Sequence, residues 1–427
     1  MAVIGAGPAG CAAAFALRAG GAQVALLGED RRDRPRMDES LPAEARPLLR
    51  RLGVWEEFGR DGHPASPGIA SAWAADLTFG DAFTAPLGRG WLVDRDRLDA
   101  SLMAAARSAG ATVLQGVRVT GARRDGDGWR LSLLRPGPAG GDCSLPHTGA
   151  VDDDGSLLRG CDDGSLPAAR DDPAGASATM RAEFVVDASG RAGVLARSLG
   201  GPVQADRLMC VHARLDRPPE AACRTLLESA EDGWWYAAAV GGASLPGRVT
   251  VGFFSDPDVI RRTSAATPGG WHRLLRRTRH VFDLLGGPGP PPALRTVPAA
   301  SHCLTRLYGE SWAAAGDAGS ALDPLSSAGV VTALRSGFEV AEGVRAALSG
   351  QYGVLAALQR RAHARYTSYL LERRDHYGIE TRWPDAPFWL RRAARTRGSG
   401  LIPTPGWDDG PAPSPEVQGR PGRSSPS

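Results

Sequence analysis

The 427-residue chain contains no lysine: all 50 of its basic residues are arginines. A guanidinium stays protonated, so no side chain offers an amine nucleophile. Cysteine is sparse too, with Cys11, Cys143, Cys161, Cys210, Cys223 and Cys303 far apart. They form no CxxC pair and no metal-ligand spacing, which argues against disulfides or zinc and for free thiols in a reducing compartment. No apolar run is long enough to span a bilayer. The start MAVIGAGPAG has no basic n-region and enters a glycine loop before any apolar h-region. The expectation is a cytoplasmic protein without a membrane partner. Acid and base nearly cancel, at a formal net charge of +3, and the arginines are scattered, which argues against nucleic acid. There is no internal repeat.

What is abundant is permissive backbone. Ala2–Ile4 reads as a short strand, followed by Gly5-Ala6-Gly7-Pro8-Ala9-Gly10, a helix from Pro8 to about Arg18, and a second strand, AQVALL. In this GxGxxG loop Gly5 permits the tight turn, Gly7 lets a pyrophosphate touch the backbone, and Gly10 lets helix and strand pack closely. The helix N-terminus at Pro8 and Ala9 offers free N–H groups to phosphate. Glu29 follows about twenty residues on, where an acid holds ribose hydroxyls. Strand, turn, helix and acid together predict a dinucleotide, and GAGPAG with its proline favours FAD.

Further along, LPAEARPLLRRLGVWEEF from Leu41 has a helical pattern, and WLVDRDRLDASLMAAARSAGA is a second helix with a polar start and a Gly stop. VRVTGARRDGDGWRLSLL alternates like a hairpin around its Asp-Gly-Asp-Gly turn. Residues 136–178 are Gly-, Asp-, Ser- and Pro-rich without a period, which predicts a disordered insertion. Its DDDG and CDDG fit no EF-hand spacing, so no metal is expected. RAEFVVDASGR resumes a strand, residues from about 208 to 254 read as strands, and helices return in WHRLLRRTRHVFDLLG and again from Val330 to about Arg397.

A second loop, Gly316-Asp317-Ala318 followed by Asp323-Pro324-Leu325, resembles the second flavin motif of FAD monooxygenases. DASGR, Asp187 to Arg191, resembles their middle motif. DESLPAEARPLLRRLG and GWLVDRDRLD resemble elements of the halogenase-like branch, and IETRWPDAPFWLRR resembles the ending of a narrower set. That set comprises the tryptophan-halogenase-like flavoproteins that mature tryptophylquinone-type oxidases by hydroxylating a tryptophan of a partner protein. The resemblance implies that Gly316 and Asp317 lie at the ribityl and ribose region and that Arg95 reaches the flavin. It also implies that Pro324, Ser327, Gly329 and Val330 lie beside the isoalloxazine ring, with Asp187 in the cofactor site. Helix N-terminal amides after Ser327 suit the ring edge where negative charge gathers on reduction.

The fold expected is α/β: a Rossmann-like FAD-binding domain with an inserted β-sheet substrate domain and a helical C-terminal region. The FAD-binding part spans residues 1–60, 88–200 and 296–350, and the substrate part 61–87 and 201–295. A helical region covers 351–397 and a disordered tail 398–427.

Flavin halogenases resemble the chain but rely on a lysine that relays hypohalous acid, and they carry a WxWxIP strand. Here there is no lysine, and the matching strand reads Gly233-Trp234-Trp235-Tyr236. The expectation is therefore monooxygenation of an aromatic, indole-type substrate, free or within a partner protein, through a flavin C4a-(hydro)peroxide. A halogenase, a double-bond reductase and a maturation factor acting by protein binding are the alternatives. No second dinucleotide loop is legible, so electrons come from NAD(P)H binding transiently or from a separate flavin reductase. Trp234, Trp235 and Tyr236 either line the substrate cavity or pack a core, and His212, His302 and Glu39 are candidate bases. RWPDAPFWLRRAARTR reads either as a docking surface or as a terminal helix packed on the FAD domain.

Overall fold

Val3, Leu26, Val185 and Val186 are apolar and wholly enclosed, as parallel strands are when both sheet faces are covered. In this computed structural model, which describes residues 1–29, 37–74, 76–81, 87–135, 176–216, 224–242 and 245–397, they form the centre of a six-stranded sheet. Its order is Tyr308–Gly309, Trp312–Ala314, Val185–Asp187, Ala2–Ile4, Ala25–Gly28 and Thr112–Gln115. All but Tyr308–Gly309 run parallel. Helices Pro8–Ala19, Arg95–Ser108 and Gly329–Leu348 cover one face. The hairpin Arg118–Asp125 and Gly128–Arg135, with strand Ala176–Ala182, covers the other through Val119, Trp129, Leu131 and Leu133.

Residues 136–175 and 398–427 lie outside those described, so the expected insertion enters the structure only at its end, where 176–178 open a strand. The helix expected from Leu41 is divided. Leu41 closes strand Glu39–Leu41, and Gly53, at φ +73°, leaves the helical region between Ala45–Arg51 and Trp55–Arg60. Trp91–Val93 is likewise a strand, and the helix after it starts at Arg95 because the Asp94 carboxylate accepts the N–H groups of Asp96 and Arg97.

A seven-stranded sheet stands beside this unit, in the order Arg295–Pro298, Met209–Asp216, Leu245–Ser255, Gly233–Gly242, Arg224–Ala230, Gly68–Ala72 and Thr78–Asp81. Strand alternation sends Trp235, Ala237 and Phe253 to one face, under helices Pro257–Thr263, Pro268–Leu275 and His280–Leu284. Trp234, Phe254 and Cys210 go to the other. Cys11, Cys210 and Cys303 are free thiols. No helix among the described residues is long and apolar enough to cross a membrane.

Helix Gly353–Gly378 runs against Gly329–Leu348, and helix Pro387–Arg397 follows it. Neither earlier reading of this terminus survives in full. Phe388 and Trp389 are buried, not offered to a partner, and they pack with Trp73 and Trp234 on the seven-stranded sheet instead of the parallel unit. The Trp389 indole N–H donates to the Ala230 carbonyl at 2.9 Å, and Arg392 pairs with Asp256 at 3.0 Å. Truncating Phe388 to Ala should therefore cost about 3–5 kcal/mol, read as a lower urea midpoint at unchanged m. A loss below about 1 kcal/mol would contradict this docking.

Candidate active site

Three loops separated widely in sequence meet at the carboxyl ends of the central parallel strands. Gly5 has φ +103°, and a Cβ there would stand 2.3 Å from the Ala188 carbonyl oxygen, so the GAGPAG loop lies directly on DASGR. Gly316 has φ +61°, and its Cβ would stand 2.7 Å from that of Ala9, so GAGPAG also touches Gly316-Asp317-Ala318. The Gly316 N–H donates to Ser336 Oγ at 2.9 Å. Arg191 joins the other two loops: its Nε pairs with Asp317 at 3.4 Å, and its guanidinium donates to the Ala300 and Leu322 carbonyls.

Helix Pro8–Ala19 is capped by extended Gly7, with no capping side chain and no acid in its first turn. Its first N–H groups have no intrahelical acceptor, and nothing negative competes with an anion there. Helix Gly329–Leu348 also starts without an acid, and a Cβ on Gly329 would meet nothing within 4 Å. The turn before it, Pro324–Ser326, ends at Ser327 in the left-handed region, φ +49°. The second helix start thus faces open space, and Gly316 lies between Ala9 of one helix and Ala333 of the other: the bare glycines and uncapped amides fit a dinucleotide with a planar ring system.

The other residues singled out in the sequence are distributed around this cradle. Glu29 follows the second strand, exposed, and pairs with Arg118 at 3.2 Å. Asp187 is wholly buried, and its carboxylate accepts the Ser189 N–H and hydroxyl and the Leu195 and Ala196 N–H groups. That side chain shapes the DASGR loop and has no face left for a ligand. Arg95 is buried, held by Glu39 and, at 3.2 Å, by Asp99.

Trp234 and Trp235 point to opposite faces. Trp235 packs on Trp271 and Phe253 in the core beyond the sheet, so it does not line the face toward the parallel unit. Trp234 faces that side but is fully enclosed, stacked on Phe254 at 3.9 Å. Tyr236 is the partly accessible member, and its hydroxyl donates to the Asp38 carbonyl at 3.4 Å. Burial, reinforced by Glu39, pushes its phenol above the ordinary range. Strand register sets Tyr236, Gly252 and His212 in one row, with Met37 and Leu325 beside this face.

Asp38, which sequence reasoning passed over, is buried and accepts a bidentate pair from Arg248 at 2.8 and 2.7 Å and the Thr250 hydroxyl at 3.0 Å. Arg248 also reaches Asp94 at 2.8 Å. Burial alone would raise the Asp94 carboxyl, but the Arg97 N–H and the Arg248 charge outweigh it and hold it below the usual range. His302 and His212 are both drawn down to about 4, first by burial and then by neighbouring arginines. The His302 ring is engaged by the Asp317 backbone.

Residues 1–138 match the family model described as an FAD binding domain. LodB of Marinomonas mediterranea, named for an inferred FAD-dependent oxidoreductase activity, is 26% identical over 92% of this chain and 96% of its own. The tryptophan 2-halogenase of Chondromyces crocatus is 24% identical over 84% of this chain and 63% of its own. The chain is an FAD-dependent oxidoreductase, similar in sequence to tryptophan-halogenase-like flavoenzymes. This flavoprotein shares its fold with the flavin-dependent halogenase CmlS, at TM-score 0.74 and 23% identity, over 94% of this chain and 68% of that one. It also shares it with the peptidyl tryptophan dihydroxylase QhpG, essential for tryptophylquinone cofactor biogenesis. That match has TM-score 0.69 and 23% identity, over 92% of this chain and 77% of that one.

Two of the flavoprotein's depressed histidines, His212 and His302, have a consequence for acid stability. Each has an ordinary pKa of 6.5 and a folded value of about 4. The unfolded chain thus binds protons that the native state refuses. The loss of stability starts as pH falls below 6.5 and is complete once it has passed about 4. His302→Gln should flatten that part of the curve of urea midpoint against pH; an unchanged slope would contradict the buried neutral ring.

Proposed function

We propose that this flavoprotein is a monooxygenase that hydroxylates an aromatic, indole-type ring, free or carried as a tryptophan in a partner chain. The observation that carries the reading is a flavin cradle in a chain without any lysine, since the resemblance to flavin halogenases implies that halogenation would need that amine. Gly5, Gly7, Pro8, Ala9 and Gly10 would hold the pyrophosphate at the first helix start, and Glu29 the ribose. Gly316 and Asp317 would hold the ribityl region, with Asp187 and Arg191 shaping the loop between them. Pro324, Ser327, Gly329 and Val330 would lie along the ring, where helix N-terminal amides favour negative charge. Arg95, kept in place by Glu39 and Asp99, would approach the flavin from the strand side.

Bound and reduced, FAD would supply the activation of O₂. The chain's own task is then to orient the ring and exclude water. The face of Tyr236, Gly252 and His212 suits it: Met37, close over Gly252, and Leu325 give it apolar cover. Of the three candidate bases, Glu39 is tied to Arg95 and His302 belongs to another sheet, which leaves neutral His212 on this face to take the ring proton. The peptidyl tryptophan dihydroxylase with the same fold supports a tryptophan within a protein as the substrate. Electrons would come from NAD(P)H or from a separate flavin reductase.

Halogenation is the second reading, favoured by the names of several relatives. Reduced, FAD-loaded protein given isotopically heavy O₂, chloride, bromide and a tryptophan peptide separates the two. Label in a hydroxylated product is expected; halogen in the product would overturn the proposal.

A further inference from the structure

Asp323 stands immediately before the turn Pro324–Ser326 and is 1% exposed. Its Oδ1 accepts the Leu325 N–H at 3.0 Å and caps that turn. Its Oδ2 accepts from two side chains of helix Gly353–Gly378, Arg373 Nε at 3.0 Å and the Tyr377 hydroxyl at 2.9 Å. A third residue of the same helix, Tyr369, accepts the Asp323 backbone N–H through its hydroxyl at 2.7 Å. Arg373 continues to Asp206 at 2.9 Å. The Tyr377 hydroxyl in turn accepts the indole N–H of Trp234 at 2.9 Å. One buried chain of hydrogen bonds therefore joins the seven-stranded sheet to the turn before helix Gly329–Leu348.

The donors to Asp323 are charge-assisted and enclosed, the setting in which hydrogen bonds fix geometry most firmly. The turn needs that support. Ser327 holds a left-handed conformation, and such residues persist only where their surroundings over-determine them. Its own element is a three-residue turn, so the constraint comes through Asp323. Trp234 itself has no accessible face and its N–H is committed, which removes it from the substrate surface and places it in this relay.

We infer that Tyr377 and Arg373 are positioning residues that set, through Asp323, where the Pro324–Gly329 turn stands against the flavin, and that Trp234 couples this turn to the substrate sheet. The inference rests on reading that turn as the flavin loop, and its test measures FAD binding instead of product.

FAD is titrated into apo-protein for Tyr377→Phe, Asp323→Asn, the double variant and Trp389→Phe. Asn keeps an oxygen for the Leu325 cap but loses the charge that Arg373 and Tyr377 hold. Each of the first two should raise the FAD Kd about tenfold, the scale of a hydrogen bond to a charged group. The double variant should be no more than about twofold weaker than the worse single, because both act through one contact. Trp389→Phe alters the same aromatic cluster without touching Asp323, and should lower the melting temperature with the FAD Kd unchanged within about twofold. If Tyr377→Phe does not fold, Trp234→Phe, which removes the N–H donated to the same hydroxyl along with part of the indole ring, should shift the Kd in the same direction. Parent-like affinity in Tyr377→Phe, multiplicative effects in the double variant, or an equal shift in Trp389→Phe would overturn the inference. A parent that ignores FAD would overturn the flavin-loop reading beneath it.

Discussion

Helix Pro8–Ala19 and helix Gly329–Leu348 approach each other almost backbone to backbone, and the site depends on that contact. A Cβ on Gly337 would stand 2.3 Å from the Ala9 carbonyl oxygen and 2.9 Å from the Ala12 side chain. Alanines fill the facing surface, Ala9, Ala12 and Ala13 being enclosed. With so little side chain between them, the start of the first helix lies against the third turn of the second, and a Cβ on Gly316 would meet Ala9 of one and Ala333 of the other. The crevice outside the carboxyl ends of such strands is where α/β sheets take their ligands. A larger residue at Gly337 would part the two helices.

The seven-stranded sheet is tied to this unit by polar contacts as well as apolar ones. Asp38, just after the first nucleotide-binding elements, takes both nitrogens of Arg248 from the sheet, and Arg248 also reaches the helix-capping Asp94. Enclosed ion pairs add little net stability once desolvation is counted, but removing one partner leaves a stranded charge. Such a latch defines one arrangement of the two units. It also flanks Glu39, which holds Arg95, so that buried cation is placed by the same joint.

Much of the cradle was legible because backbone constraints are local. Gly5, Gly10 and Gly316 sit where any side chain would collide, and their loops carry recognisable spacing for that reason. DASGR was legible as a strand end, but not that Asp187 spends its carboxylate inside the loop. The terminal helix was misplaced because its partners, Ala230 and Asp256, are remote in sequence. The same distance hid the relay, since nothing around Tyr377 announces that it will meet Asp323 and Trp234. A period of two should have separated Trp234 from Trp235 at once, and Gly53 should have divided the helix after Leu41.

The most direct measurement is a titration of the purified, cofactor-free chain with FAD, followed by visible absorbance and flavin fluorescence. The account predicts saturable binding of a single equivalent, a yellow protein, and a flavin spectrum perturbed from that of free FAD. A protein that stays colourless, with the spectrum of added FAD unchanged at every concentration, would contradict it.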